Sequence, residues 1–160
     1  MKVVKAVASI DKLTLHGKRL TALSMWEKGK AFIAAAILLR GKGGYEYVVL
    51  HLLCQGIEVL GKGYLLLSDY HTYEPQLRGI GHNLNKLVNK IEAASNLTIL
   101  TEKLKSEFDE LNTLYSKHLL RYGTSFDILH DPKNINSKRI LRRLAAILRL
   151  VEKSGFISRK

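Results

Sequence analysis

The stretch Leu77-Arg-Gly-Ile-Gly-His-Asn-Leu84 brings together the residues best suited to chemistry. Arg78 precedes His82 by four, a spacing that sets a guanidinium and an imidazole on one face of a helix, and Gly81 leaves the approach to the ring open. A fixed guanidinium can hold a phosphate through paired N–H donors, and an imidazole exchanges protons near neutral pH. With a second such pair from a symmetry mate, Arg78 and His82 are candidate catalytic residues for cleaving RNA, with His118 and Arg121 as helpers. The plainer alternative is that His82 caps or hydrogen-bonds the end of a helix.

A second set of polar residues lies upstream, inside the apolar stretch Tyr45 to Leu67. At 100° per residue His51, Gln55, Glu58, Lys62 and Asp69 form one narrow stripe on an otherwise apolar helix. Glu58 and Lys62 stand four apart with the acid first, the favourable order for an ion pair on a helix, but if exposed that pair contributes only about 0.2–0.5 kcal/mol. The stripe is therefore either the side of the helix that meets water or the lining of a cleft or subunit contact, with His51, Glu58 and Lys62 as candidate binding residues. A third set, Arg139, Arg142 and Arg143, lies on the polar side of a basic helix near the C-terminal end and could follow a run of phosphates.

Helices must position all three sets. The stretch 45–67 has almost no wholly polar side and reads as a central helix of roughly 35 Å, covered by neighbours. Gly56 and Gly63 lie on one of its faces, with Gly61 close by, and close approach of another backbone would offset what they cost in helix propensity. Before it, Ser24 with Glu27 reads as a capping box opening a helix through Leu39, whose inner side is Trp26, Ile33, Ala34, Ile37 and Leu38. Residues 1–23 fit either a short helix or a strand. After the central helix, Ser68 to Pro75 reads as a loop, because Glu74 precedes proline. A helix then follows from Pro75 or Leu77 through Ile91, another runs from Thr98 or Thr101 to a stop at Gly123, and a last one is capped by Ser137. The sum is an all-α fold in one domain, 1–160, with no sheet.

Composition narrows the setting. With 46% hydrophobic residues and two prolines in 160, the chain should be ordered. Cys54 is the lone cysteine, so there is no disulfide framework or cysteine zinc cluster, and a reducing cytoplasm fits. The first residues hold no apolar run of signal-peptide length, and Ala31 to Leu39 is about half the roughly 20 residues a membrane span needs, so a soluble protein without a membrane role is expected. Histidines and acids are scattered, and no cofactor or metal is expected. Net charge is +12, unevenly spread: residues 1–44 carry nine Lys or Arg against two acids, 45–130 eight against ten, and 131–160 nine against two. A near-neutral middle between two basic ends suggests a scaffold able to meet polyanions.

Three segments resemble one family. Ile57-Glu-Val-Leu-Gly-Lys62 with Tyr64-Leu-Leu-Leu, then Leu77-Arg-Gly-Ile-Gly-His-Asn-Leu84, then Leu119-Leu-Arg-Tyr-Gly123, look like the HEPN superfamily of small helical bundles. The likeness covers 24–123 and leaves the basic helix 137–154 outside. It implies an up-and-down four-helix bundle, often dimeric, in proteins tied to RNA processing, toxin-antitoxin pairs and phage defence. With it, the chain is expected to be an up-and-down four-helix bundle with additional N- and C-terminal helices, forming a homodimer. Ribonucleolytic members carry an Arg, four to six residues, then a His; here Arg78 to His82 encloses three residues and Arg121 to His130 encloses eight. That departure favours an RNA- or nucleotide-associated binding module over a metal-independent endoribonuclease. A structural dimer that engages a protein partner through the His51, Glu58 and Lys62 stripe is the remaining alternative.

Overall fold

The computed structural model describes residues 13–122, 131–132 and 137–153, and the regular elements among them are six α-helices and no strand. The first, α1, runs Leu15–Gly41. It starts well before Ser24 because Thr14 caps it, its hydroxyl accepting from the Gly17 N–H at 3.1 Å. Residues 15–23 are therefore helix rather than strand, and Ser24 is an interior position. The inward side also differs from the one expected. Ala22, Trp26, Gly29, Ile33 and Ala36 are buried, whereas Ala34, Ile37 and Leu38 are exposed.

The central helix α2, Glu46–Ser68, lies within one residue of its expected bounds. It touches α1, α3, α4 and α5, and its pairing with α1 is the most extensive contact in the fold. Glycine makes that pairing close. A Cβ on Gly63 would lie 2.7 Å from the Trp26 backbone nitrogen, and one on Gly29 2.4 Å from that of Leu60. By length and hydropathy α2 is the one described helix that could cross a bilayer, yet 56% of its most apolar window is buried within the protein.

The segment after α2 is helix, not loop. α3, Tyr70–Ile80, follows after one extended residue, Asp69, whose carboxylate caps it by accepting from the Thr72 N–H at 3.1 Å and its hydroxyl at 2.7 Å. Pro75 is accommodated inside α3. The helix expected to run on through Ile91 is instead cut in two: Gly81, at φ +55°, ends α3, and Asn83 caps α4, Leu84–Ser95. Asn112 fixes that start as well, its side-chain oxygen accepting from the Leu84 N–H at 2.7 Å.

α5, Glu102–Ser116, begins near the expected threonine but stops sooner, giving way to turns through Arg121. Gly123, expected to end it, and His130 lie outside the described residues. α6, Ser137–Lys153, is strongly amphipathic, and Ile140, Leu141, Leu144, Ile147 and Val151 join the apolar core formed by the other helices. Arg40 of α1 ties the ends of α2 and α6 together by donating to Glu46 and, at 2.6 Å, to the Ser137 hydroxyl.

Candidate functional site

The polar stripe of α2 turns inward at Glu58, whereas Asp69 at its far end is exposed. Glu58 is 5% exposed, buried where α2, the α3–α4 turn and α5 meet. Its carboxylate accepts three hydrogen bonds. The Lys62 ammonium donates to Oε1 at 2.7 Å, while the Tyr115 hydroxyl at 2.6 Å and His82 Nδ1 at 2.9 Å share Oε2. Burial alone would push this carboxyl up, but Lys62, Tyr115 and His82 outweigh it and hold the group below the usual carboxylate range. The ion pair expected from the spacing is thus present, in a setting where removing one partner costs far more than on a surface.

Each partner is positioned by its own local structure. Lys62 also donates to the Gly81 carbonyl at 2.8 Å, binding α2 to the point where α3 ends. The positive φ of Gly81, a conformation that suits glycine, turns the chain so that His82 reaches Glu58. Arg78 and His82 consequently do not share a helix face: Arg78 is exposed in the last turn of α3, and His82 lies beyond the helix end. Tyr115 comes from the last turn of α5, and its hydroxyl also lies 3.0 Å from Gln55 Oε1. Burial first, and the neighbouring Glu58 second, push its phenol far above the ordinary range, so it acts as a fixed donor.

Because a carboxylate only accepts, the Nδ1 of His82 carries the hydrogen of that bond, which leaves Nε2 as the basic nitrogen of the neutral ring. The His82 side chain is 41% exposed. A second imidazole stands beside it: the His118 ring packs edge-on, centroids 5.2 Å apart. His118 has a left-handed backbone, φ +60°, an uncommon state for a non-glycine residue, and its Nδ1 is buried without a hydrogen-bond partner among the described residues. His51 also packs against Tyr115, ring centroids 5.9 Å apart. Its Nδ1 is likewise buried without a partner, and burial together with the Arg121 charge lowers its affinity for a proton.

The structure therefore gathers His51, Glu58, Lys62, His82 and His118 into one junction, with Arg121 exposed in the turns after α5 and close enough for its charge to act on His51 and Tyr115. It does not gather the α6 cations there. Arg139 pairs with Glu107 at 3.1 Å, Arg143 donates to the Ile99 carbonyl at 2.8 Å and to that of Thr98, and Arg142 is exposed. Tyr115 is not among the candidate residues that the sequence patterns single out. The available signal was that a tyrosine on the buried side of a helix needs a partner for its hydroxyl, and the α2 stripe offered an acid. Among the described residues no three His, Cys, Asp or Glu converge as metal ligands.

No family model, curated protein or solved structure matches the chain.

Proposed function

We propose that the junction is an acid–base site that cleaves RNA without a metal. The observation that carries this reading is the buried Glu58 holding His82 Nδ1 at 2.9 Å, with a second imidazole, His118, packed 5.2 Å away ring to ring. A carboxylate so placed fixes the imidazole's orientation and tautomer and stabilises the imidazolium that forms when Nε2 takes a proton. One imidazole can then draw the proton from a ribose 2′-hydroxyl as that oxygen attacks the adjacent phosphorus, while the other gives a proton to the departing 5′-oxygen. DNA lacks the 2′-hydroxyl, which makes RNA the substrate. A net charge of +12 draws the polyanion, and Arg121, exposed with its charge acting on the junction, can meet phosphate, as can exposed Arg78 four residues before His82.

The reading includes the HEPN-like resemblance, with an up-and-down four-helix core, a cytoplasmic setting and a role in a toxin-antitoxin or defence pair. It gives catalysis to His82 and His118 in place of the family's Arg and His spacing. One observation favours the second reading, a binding module without catalysis: the Lys62 ammonium is already committed to Glu58 and to the Gly81 carbonyl and is not free to hold phosphate. The test is incubation of labelled single-stranded RNA with the protein and with His82→Ala and His118→Ala variants, in chelator. Cleavage by the unsubstituted protein to 2′,3′-cyclic phosphate ends, reduced at least a hundredfold in either variant, is the expected result. Retention without cleavage would overturn the enzyme in favour of the binding module.

A further inference from the structure

Close-packed interiors leave few voids larger than a water molecule. One is found where α1, α2, α4 and α6 meet. Trp26 of α1, Ile57 and Tyr64 of α2, Ile91 of α4, and Ile147 and Leu148 of α6 are among its walls. Its volume is about 50 Å³, several times the roughly 10–15 Å³ that admits one water. The surface it presents is carbon, with no polar atom exposed inside. The Ser95 hydroxyl is turned to the Ile91 carbonyl at 2.7 Å, and Ser95 also engages the Tyr64 hydroxyl. Among the side chains of the wall that leaves the Trp26 N–H, which is buried and has no acceptor among the described residues. A water needs about two to four polar partners, so the cavity favours a dry occupant.

The surrounding packing holds this space open. A Cβ on Gly61 would lie 2.8 Å from the Ile91 side chain and 2.9 Å from that of Leu87, so α2 and α4 already touch beside the cavity and cannot move together to fill it. On the outer side the connection between α4 and α5 is tied down by hydrogen bonds. The Glu92 carboxylate accepts from the Ile99 and Leu100 N–H groups at 2.6 and 3.0 Å, and Arg143 donates to the Ile99 carbonyl at 2.8 Å. Leu97 and Ile99 of that connection line the cavity, and Leu97, 45% exposed, is the one wall residue at the surface. We propose that the cavity is a binding site for a small uncharged molecule made chiefly of carbon, on the scale of a single ring, which enters past Leu97. A charged ligand would give up its hydration and find no partner in the wall. A carbon-rich one restores the contacts that a void denies to its lining. Ile57, Gly61 and Tyr64 lie on a different face of α2 from Glu58 and Lys62, so the cavity is separate from that junction and its chemistry.

Benzene is the test ligand, and Trp26, the lone tryptophan, is the reporter, because it supplies a single indole N–H signal from the cavity wall. With the full chain and no RNA present, the expected result is a saturable shift of that signal in the proton–nitrogen correlation spectrum and a melting temperature that rises with benzene concentration. Benzoate, the same ring carrying a charge, is expected to do neither. Leu148→Phe should fill the space and weaken benzene at least about tenfold, whereas Ile147→Ala should enlarge it and bind benzene more tightly, both with unchanged helical circular-dichroism spectra. If Leu148→Phe does not fold, Ile147→Ala decides alone. An indole signal that does not saturate, with a melting temperature that does not rise, would reduce the cavity to a packing void and overturn the proposal. So would equal binding of benzoate, or an affinity that neither substitution alters, since the ligand would then sit elsewhere.

Discussion

At Glu58 a nearly unexposed carboxylate holds three donors, and the consequences are open to titration. Removing its charge leaves Lys62 facing a neutral group. Breaking a buried pair costs 3–5 kcal/mol, and because the Lys62 side chain keeps 14% of its exposure and can turn toward water, the lower end, about 3 kcal/mol, is expected for Glu58→Gln. The pH dependence follows from the direction of the shift. The folded state holds this carboxyl below its ordinary value of 4.5, so the unfolded chain binds the proton more readily. The contribution is fully present above about pH 4.5 and is lost as pH falls through the folded value. Urea denaturation of the wild type and of Glu58→Gln should therefore show a stability gap that is constant near neutrality and narrows in acid. A gap that widened below pH 4.5 would contradict the assigned network. His51 adds to the same trend from about 6.5 downward, because burial and Arg121 favour its neutral ring.

Helix by helix, the legible parts were those with strong periodicity. α2 and α6 were found within a residue or so because their apolar steps run unbroken, and the cost of Gly56 and Gly63 correctly implied a close backbone neighbour. The segment 69–83 was misread because two local signals outweighed the pattern. Asp69 caps a helix strongly enough for Pro75 to be carried inside it, and Gly81 breaks a run of apolar steps that otherwise continues from Leu77 to Ile91. The inner face of α1 was rotated for a different reason: a helix apolar on both sides gives no phase to its own pattern. Two glycine substitutions separate packing from propensity. Gly63→Ala should destabilise by about 1–3 kcal/mol, since its methyl meets α1 backbone that cannot yield. Gly79→Ala, in α3 with nothing within 4 Å of the added methyl, should stabilise by about 0.5–1 kcal/mol in the same denaturation assay.

Over the whole molecule, charge and connectivity give different information. The charge distribution was readable as composition, but which cations are free was not, because Arg139 and Arg143 are spent on Glu107 and on two carbonyls while Arg142 is exposed. Arg142→Ala should accordingly reduce the salt dependence of RNA retention by about 0.7 in the log–log slope, the value of one phosphate contact on a single strand. Arg143→Ala should act mainly on thermal stability, by loosening the α4–α5 connection from α6. The candidate site was half legible for a related reason: His51, Glu58 and Lys62 share one helix, whereas His82 and Tyr115 reach Glu58 from 24 and 57 residues away. That separation gives the junction a place in the order of folding. Lys62 meets Glu58 as soon as α2 forms, His82 only when the α3–α4 turn closes, and Tyr115 only when α5 docks. Until the last arrival the acid keeps its water, and a collapsed chain lacking α5 would have to strip that water without replacing it. The buried carboxylate thereby disfavours assemblies that lack α5.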